Sequence, residues 1–354
     1  MATNTFLPPI MKAWTFSQPG THRQVLSQTT VPTPNLPTGD EVLIKIEYAG
    51  LSFGDLKTMG LIPSFLRTKN SVPGTDYAGV IIAKGPLAPS KFEIGTEVFG
   101  TLETDSKRHG TGALCEYICL STSSNNIVAP VPSNMTLQEA GAVAIGGLMA
   151  MLICKNGGIK EDCGIRMLVH GSSGQCGTAF IQVAKAMGAK EIVATCSTPN
   201  FDMVKRLGAD VTIDYRKEAP FSEYLAKEYG DRKFDIIVDT VGAQDVYTHS
   251  PAFLKDDCVY VNIGDYTNGL FRTVFHWFVN LYWPQWLGGT PRRFIMFGPW
   301  ETPKVIDPLT KLMADGKIKP VIERTVAFDQ VLEGYDVVAT KRTRGKVMVK
   351  VASS

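Results

Sequence analysis

The sequence predicts an α/β protein in which a mostly β region is followed by a doubly wound parallel sheet. Up to about residue 135, short runs of alternating apolar and polar residues are separated by glycine and proline, and no long helical period interrupts them. From about residue 136, short runs rich in valine and isoleucine alternate with helix-like segments. This alternation is typical of parallel strands joined by crossover helices.

The first region contains three clear strand signals. EVLIKIEYAG (41–50) alternates apolar and polar positions and stops at a glycine. YAGVIIAKG (77–85) and TEVFGTL (96–102) are predicted to be further strands between glycine- and proline-rich turns.

The second region begins with a helix rich in glycine and alanine, at 136–158, and continues with strands and helices in turn. The predicted strands are IRMLVH (165–170), EIVATC (191–196), DVTIDY (210–215), FDIIVDTVG (234–242) and CVYVNIG (258–264), with helices at 176–188 and 221–230. The end of the chain returns to a helix (305–320) and to β-type sequence ending in RGKVMVKV (344–351).

Composition limits the classes of function. A length of 354 residues suggests two domains. The 36 basic and 34 acidic residues leave a net charge of +2, which argues against a nucleic-acid-binding protein. The seven cysteines form no C-x-x-C pair, which disfavours a zinc ribbon or a secreted disulfide framework. The N-terminus resembles no secretory signal, so we expect a cytoplasmic protein.

The strongest motif is HGSSGQCG (170–177), which follows a predicted strand and opens a helix. Gly171 permits a tight turn, Gly174 a close approach of the backbone to phosphate, and Gly177 close packing of the helix on the strand. The motif is a variant, because Ser172 replaces the second glycine of the common fingerprint. A simple glycine-rich turn is the alternative. The candidate cofactor-binding residues here are Gly171, Ser172, Ser173, Gly174, Gln175 and Gly177.

The choice of cofactor is read at the end of the second strand. An acid there would accept the ribose hydroxyls of NAD, but Glu191 opens that strand and the loop beyond it carries Ser197, Thr198 and Asn200. Neutral donors tolerate a 2′-phosphate, and Tyr215, with Arg216 beside it, ends the next strand. Ser197 and Tyr215 are therefore candidate contacts, and the sequence predicts NADPH rather than NADH.

The chain resembles the zinc-independent quinone oxidoreductase branch of the medium-chain dehydrogenase/reductase superfamily, which includes zeta-crystallin-like and enoyl reductases. MKAWTF (11–16), AGLSFGDLK (49–57), PGTDYAGVI (73–81), the glycine loop and GKVMVKV (345–351) carry the resemblance. ATCSTPNFD (194–202) also resembles fungal enoyl reductases that act beside polyketide synthases.

This resemblance implies a GroES-like domain built from residues 1–135 and 301–354 around an inserted Rossmann domain at 136–300. It also implies an active site in the cleft between them, and a homodimer.

Zinc-dependent relatives take their catalytic ligands from positions that match Ser52, Thr75 and Asp76. Because these residues offer only hard oxygen atoms, we expect no metal site. An enzyme of this kind can still transfer hydride to an activated alkene if donors stabilise charge on the carbonyl oxygen. Ser52 and Lys57 are the catalytic candidates, both in the loop that the resemblance places against the nicotinamide. The alternatives are a turn hydroxyl for Ser52 and a solvated surface lysine for Lys57.

Further cofactor contacts are implied at the ends of two later strands and near the end of the chain. They are Val241, Gly242, Ile263, Gly264 and, as a weaker candidate, Lys346, for which a surface lysine is the alternative. Met149 stands where relatives carry a threonine on the nicotinamide side. Methionine lacks the hydroxyl that this threonine supplies.

An aromatic segment, HWFVNLYWPQW (276–286), admits three interpretations. It is a core or dimer surface, a wall of the substrate pocket, or a shallow membrane contact through residues 275–286. For the whole chain, the sequence predicts an NADPH-dependent, zinc-independent reductase of α,β-unsaturated carbonyls or quinones. A pathway-specific enoyl reductase and a non-catalytic NADPH-binding structural or redox-sensing protein are the alternatives.

Overall fold

The protein is described from a computed structural model that covers residues 7–61, 63–66, 68–103, 110–156, 159, 164–264, 270–296 and 305–351. It forms two compact units, the first made of Met1–Leu148 with Glu301–Ser354 and the second of Met149–Trp300. The sequence placed the first division between residues 135 and 136. In the structure the division falls between Leu148 and Met149, inside the continuous helix Leu137–Asn156. The helix therefore belongs to both units, and the sequence pattern marks its start rather than the division.

The helices and strands follow one another in the order that the sequence pattern suggests. In chain order they are β1 (Ile10–Thr15), α1 (His22–Val25), β2 (Ser27–Pro32), β3 (Glu41–Leu51), α2 (Phe53–Leu61), β4 (Asp76–Lys84), β5 (Glu97–Thr101), β6 (Tyr117–Ser121), β7 (Ile127–Pro130), α3 (Leu137–Asn156), β8 (Arg166–His170), α4 (Gln175–Ala186), β9 (Glu191–Thr195), α5 (Phe201–Arg206), β10 (Val211–Ile213), α6 (Phe221–Tyr229), β11 (Phe234–Asp239), α7 (Gln244–Thr248), β12 (Leu254–Asn262), α8 (Leu270–Tyr282), β13 (Arg293–Met296), α9 (Ile306–Ala314), β14 (Ile322–Ala327), α10 (Val331–Ala339) and β15 (Lys346–Lys350).

The first unit is built on a seven-stranded sheet of order β14-β15-β3-β4-β5-β7, with β6 paired to β3. The long central strand β3 pairs antiparallel with β15, β4 and β6, so both ends of the chain contribute to one sheet. Val42, Ile44 and Ile46 of β3 are fully buried. This arrangement confirms the predicted GroES-like β architecture.

The second unit contains a six-stranded sheet of order β10-β9-β8-β11-β12-β13, and all of its pairings are parallel. Its core includes Leu168, Val193 and Ile237, which are fully buried. The chain runs outward from β8 in one direction and from β11 in the other. Ligands of doubly wound sheets bind at this switch point, beyond the carboxyl ends of the strands. The predicted Rossmann-like sheet is confirmed.

Two elements differ from expectation. Residues 53–61 form α2, although the sequence placed Lys57 in a loop. The aromatic segment forms the end of α8 and the turn after it, where Phe278, Tyr282 and Trp286 are exposed. The interpretation of this segment as core is therefore wrong for these side chains, while Trp277 packs against the core.

The helix α3 is long and apolar enough to cross a membrane by length and composition. In the window Leu137–Lys155, however, 72% is buried within the protein, as in the core helix of a globular fold.

Candidate functional site

The glycine loop between β8 and α4 has the tight geometry that the sequence predicts. Gly171 has φ +79°, and a Cβ there would lie 2.3 Å from Thr240 Oγ1. At Gly177, a Cβ would lie 2.5 Å from the carbonyl oxygen of Gly171. Both positions therefore require glycine for the loop to fold back onto the helix.

The middle of the loop is held by Ser172 and open at Gly174. Ser172 is buried, and both its backbone N–H and its hydroxyl donate to the carbonyl of Thr195, each at 2.9 Å. Its side chain fixes the loop on β9 and is not directed to a ligand. A Cβ at Gly174 would meet nothing nearer than 3.7 Å, so the protein itself does not require glycine there.

Gly174 caps the twelve-residue helix α4 without a side-chain hydrogen bond, and Ser173 and Gln175 are half-buried beside it. The first N–H groups of a helix bind anions when no side chain satisfies them. The open backbone at Gly174 therefore fits a cofactor phosphate.

A buried acid, Asp239, organises the loop after β11. Its carboxylate accepts the backbone N–H groups of Val241, Gly242 and Ala243 at 2.8, 2.9 and 2.7 Å, and the Tyr260 hydroxyl at 2.7 Å. Sequence reasoning identified Val241 and Gly242 but missed Asp239. Its position in the sequence could have identified it, because an acid at the end of a buried apolar strand needs hydrogen-bond donors around it.

The loops after β11 and β12 meet at two predicted residues. A Cβ at Gly264 would lie 1.9 Å from the backbone nitrogen of Gly242, so the two loops touch. Asn262 Oδ1 accepts the N–H of Gly264 at 2.8 Å, and the N–H of Ile263 donates to the Asp239 carbonyl at 2.9 Å. Ile263 and Gly264 therefore lie at the carboxyl edge of the sheet, as the glycine loop does.

Beyond β9 and β10, a second buried acid arranges the residues predicted to select the cofactor. Asp214 accepts two hydrogen bonds from the Arg216 guanidinium, at 2.9 and 2.7 Å, and one from the Thr198 hydroxyl at 2.6 Å. Ser197 Oγ accepts from Asn200, and Tyr215 is 43% exposed with its ring edge-on to His170. Asp214 thus joins the segment that follows Ser197 to the segment that contains Tyr215, and it holds Arg216 in place.

The charge of Asp214 should make stability depend on pH. Hydrogen bonds from Arg216, and then from Thr198, hold the pKa of Asp214 well below its usual range. A lowered folded-state pKa contributes stability that is complete above the unfolded value of about 4 and is lost as pH falls below it. We expect Asp214→Asn to lose less thermal stability than wild type between about pH 5 and pH 3. Calorimetry at several pH values measures this, and parallel slopes for the two proteins would contradict it.

In the first unit, Ser52 opens α2. Its N–H donates to Asp55 Oδ2 at 2.8 Å, and its Oγ accepts the Asp55 N–H at 3.3 Å. This reciprocal pair resembles a capping box, and the S-x-x-D spacing was the signal for the missed helix. Asp55 is buried and accepts from the Tyr335 hydroxyl at 3.2 Å, so it acts as a structural acid. Among the described residues, the only hydrogen bond of the Ser52 Oγ is the one it accepts from Asp55.

Lys57 lies on α2 rather than in a loop, and is half-buried. Its Nζ is 5.7 Å from the centroid of the Phe53 ring, which also lies 4.6 Å from Lys341 Nζ. Met149 is half-buried on α3. The described contacts of Lys57 leave its catalytic assignment a prediction.

The structure corrects the alternative given for Lys346. Its side chain is buried, and its Nζ donates to Asp76 Oδ2, so it is not a surface lysine, while its contact with a cofactor stays a prediction. Asp76 is fully buried and lies opposite Gly50. A Cβ at Gly50 would lie 2.4 Å from Lys346 Cε, so the ion pair packs directly on the strand that leads to Ser52.

The three positions that match the zinc ligands of zinc-dependent relatives have structural roles in this protein. Ser52 caps a helix, Thr75 is buried, and Asp76 is paired with Lys346. In the described ranges of the chain, no three histidine, cysteine, aspartate or glutamate side chains lie together as a metal site.

Comparison with known proteins agrees with this architecture. Residues 38–133 match the alcohol dehydrogenase GroES-like domain family, and residues 176–280 match the zinc-binding dehydrogenase family. The medium chain reductase pydE of Acremonium sp is 31% identical, over 96% of this chain and 99% of its own. The trans-enoyl reductase pgmF of Aspergillus terreus is also 31% identical, over 98% of this chain and 97% of its own.

Solved structures share the fold. The quinone oxidoreductase from Coxiella burnetii superposes with a TM-score of 0.77 at 24% identity, over 97% of this chain and 100% of that chain. The CurK enoyl reductase gives a TM-score of 0.78 at 22% identity, over 97% of this chain and 99% of that one. With the two family matches and relatives aligned along nearly its whole length, the chain belongs to the medium-chain dehydrogenase/reductase superfamily and is an oxidoreductase.

Proposed function

We propose that the protein is an NADPH-dependent reductase of α,β-unsaturated carbonyl compounds, with quinones as related acceptors, and that it acts without zinc. The observation that carries the proposal is the donor set at Ser52, Thr75 and Asp76. It contains only oxygen atoms, and its one carboxylate is already paired with Lys346. Such a set is poorly suited to zinc.

Without a Lewis acid, reduction is easiest for a double bond conjugated to a carbonyl, because the carbonyl oxygen takes up the developing charge. When bound, the nicotinamide cofactor supplies the hydride. The chain's task is then to hold the cofactor, orient the acceptor and donate hydrogen bonds to the charged oxygen.

The residues that would hold the cofactor lie in the second unit. The N–H groups at the start of α4 and the open backbone at Gly174 suit the phosphates. The loops at Val241–Gly242 and Ile263–Gly264, fixed by Asp239, form the neighbouring edge.

In the first unit, Ser52 is the proposed donor to the acceptor's carbonyl oxygen. Its Oγ accepts the Asp55 N–H, which fixes the oxygen while leaving the hydroxyl proton directed elsewhere. Lys57 supplies positive charge on the same helix.

We expect Ser52→Ala to lower kcat more than it raises KM, since the hydrogen bond from the Ser52 hydroxyl to the carbonyl oxygen strengthens as charge develops on that oxygen.

The relatives favour an enoyl acceptor within this class. One relative, pgmF, is named as a trans-enoyl reductase, and another, of Solanum lycopersicum and 29% identical over 98% of this chain, is named as a 2-methylene-furan-3-one reductase. An enoyl thioester of a biosynthetic pathway is therefore the second candidate substrate.

We assign the preference for NADPH to the residues around Asp214, at the ends of β9 and β10. Arg216 uses Nε and Nη2 to bind Asp214, which holds the guanidinium near Ser197 and Tyr215. A charged hydrogen bond to the 2′-phosphate contributes about 1.5–3 kcal/mol.

We expect Arg216→Ala to weaken NADPH binding by about 10- to 100-fold. NADH binding, measured by the same fluorescence titration, should change little. Equal losses for both cofactors would mean that Arg216 is only structural.

The function is tested by following NADPH oxidation with a panel of enones, quinones and enoyl thioesters. The proposal expects turnover of at least one conjugated acceptor, without added zinc and in the presence of a chelator. Faster turnover of thioesters than of free enones and quinones would favour the pathway enoyl reductase. Binding of NADPH with no turnover of any acceptor would instead support a non-catalytic protein.

A further inference from the structure

The helix α8 turns its apolar face away from the protein. Val274, Phe275, Phe278, Leu281 and Tyr282 recur at the spacing of one helical face, and they are 49%, 63%, 57%, 40% and 71% exposed. In an ordinary surface helix this face would be turned toward the core.

The orientation of α8 is fixed from its other side. Asn280 and Gln244 exchange two amide hydrogen bonds, of 2.8 and 2.9 Å, which tie α8 to α7. Thr273 is buried, and Trp277 packs against the hydrophobic core. The outward direction of the apolar face is therefore a property of the docked helix.

The exposed surface continues past the end of the helix. Trp283 is 47% exposed, Trp286 82% and Leu287 50%, and Trp283 Nε1 donates to the Leu287 carbonyl at 3.0 Å to close the turn. We call these side chains together the aromatic patch: Val274, Phe275, Phe278, Leu281, Tyr282, Trp283, Trp286 and Leu287. Contiguous apolar surface of this kind marks a binding surface in soluble proteins.

The charged residues of the segment that carries the patch have one sign. The sequence from 270 to 296 contains no aspartate or glutamate and three arginines. Arg292 is paired with Asp256, while Arg272 and Arg293 are exposed. A second copy of the chain placed on the patch would bring like charges together, which disfavours self-association. A surface that is both apolar and anionic suits it better.

We propose that the aromatic patch binds reversibly to anionic lipid bilayers. Tryptophan and tyrosine favour the headgroup level, phenylalanine and leucine enter the acyl boundary, and arginines attract anionic headgroups. The helix lies in the plane of the interface and does not span it. Such binding would bring the reductase to a membrane without changing its fold.

The test is flotation of the full-length protein with vesicles of phosphatidylcholine alone or with about one third phosphatidylserine, at low salt. Wild type is expected to float with the anionic vesicles and to bind neutral vesicles several-fold more weakly. The variant Phe275→Ser/Phe278→Ser/Trp286→Ser should lose binding to both. Arg272→Gln/Arg293→Gln should lose roughly five-fold per arginine on anionic vesicles only.

The matched control is Phe65→Ser/Leu87→Ser, which removes two side chains that are 84% and 75% exposed outside the patch and should bind as wild type. Thermal unfolding verifies that each variant is folded, and sedimentation velocity reports its oligomeric state. The proposal is overturned if wild type floats with neither vesicle, if the control loses binding as much as the patch variant, or if the patch variant only converts a dimer to a monomer.

Discussion

Replacing Lys346 with methionine is expected to lower the free energy of unfolding by about 3–5 kcal/mol. The lysine is 2% exposed and its only acid partner among the described residues, Asp76, is 0% exposed. Removing the ammonium would leave a carboxylate without its counter-ion in the core of the first unit. Asp76 Oδ1 already lacks a hydrogen-bond partner in the described part of the chain, so nothing nearby replaces the lost charge.

The control for this prediction removes both charges. Lys346→Met/Asp76→Leu replaces the ion pair by apolar groups, and we expect it to recover most of the stability lost in the single variant. Urea unfolding of wild type, Lys346→Met, Asp76→Leu and the double variant measures the coupling. If the single variant is as stable as wild type, Asp76 does not depend on Lys346 as its buried counter-ion.

Replacing Gly264 with alanine is expected to have the largest effect on the cofactor edge. The new Cβ would lie 1.9 Å from the Gly242 nitrogen, and a backbone atom cannot move aside as a side chain can. The loops after β11 and β12 must separate, at a cost of about 1–3 kcal/mol in stability. We expect NADPH binding to weaken by at least about tenfold, because the displaced backbone groups no longer reach the cofactor.

Gly174→Ala provides the matched comparison. A Cβ there lies 3.7 Å from its nearest protein atom, so stability should change by no more than about 1 kcal/mol. NADPH binding should nevertheless weaken, because the methyl group would occupy the space where a phosphate approaches the backbone. Isothermal titration and urea unfolding of both variants separate the two causes. A Gly174→Ala protein that binds NADPH as wild type would contradict the placement of the phosphate.

Most of the fold was predictable because its signals are local. The valine- and isoleucine-rich runs such as 191–196 and 234–242 lie where β9 and β11 form, and the glycines at 171 and 177 are required by contacts within the loop. The sequence missed α2, since its start depends on the short Ser52–Asp55 pair rather than on a long period. It also did not show which way α8 faces, because both sides of that helix carry aromatic residues.

The site was less predictable, since its acids act through distant partners. Asp239 supports Val241 and Gly242, and Asp214 fixes Arg216, but their roles appear only when strands distant in sequence lie side by side. The family resemblance implied a cofactor contact for Lys346, with a surface lysine as the alternative. Its partner Asp76 is 270 residues earlier in the chain, so no local pattern shows that the lysine is buried.

The central claim is most directly tested by transfer of a labelled hydride. The protein is incubated with NADPH that carries deuterium at both hydrogen positions of the reactive nicotinamide carbon and with a 2-enoyl thioester or an enone, and the product is analysed by mass spectrometry and NMR. The proposed activity predicts one deuterium at the β carbon of the saturated product and none at the α carbon. A product without deuterium, or no product with either substrate while NADPH still binds, would contradict it.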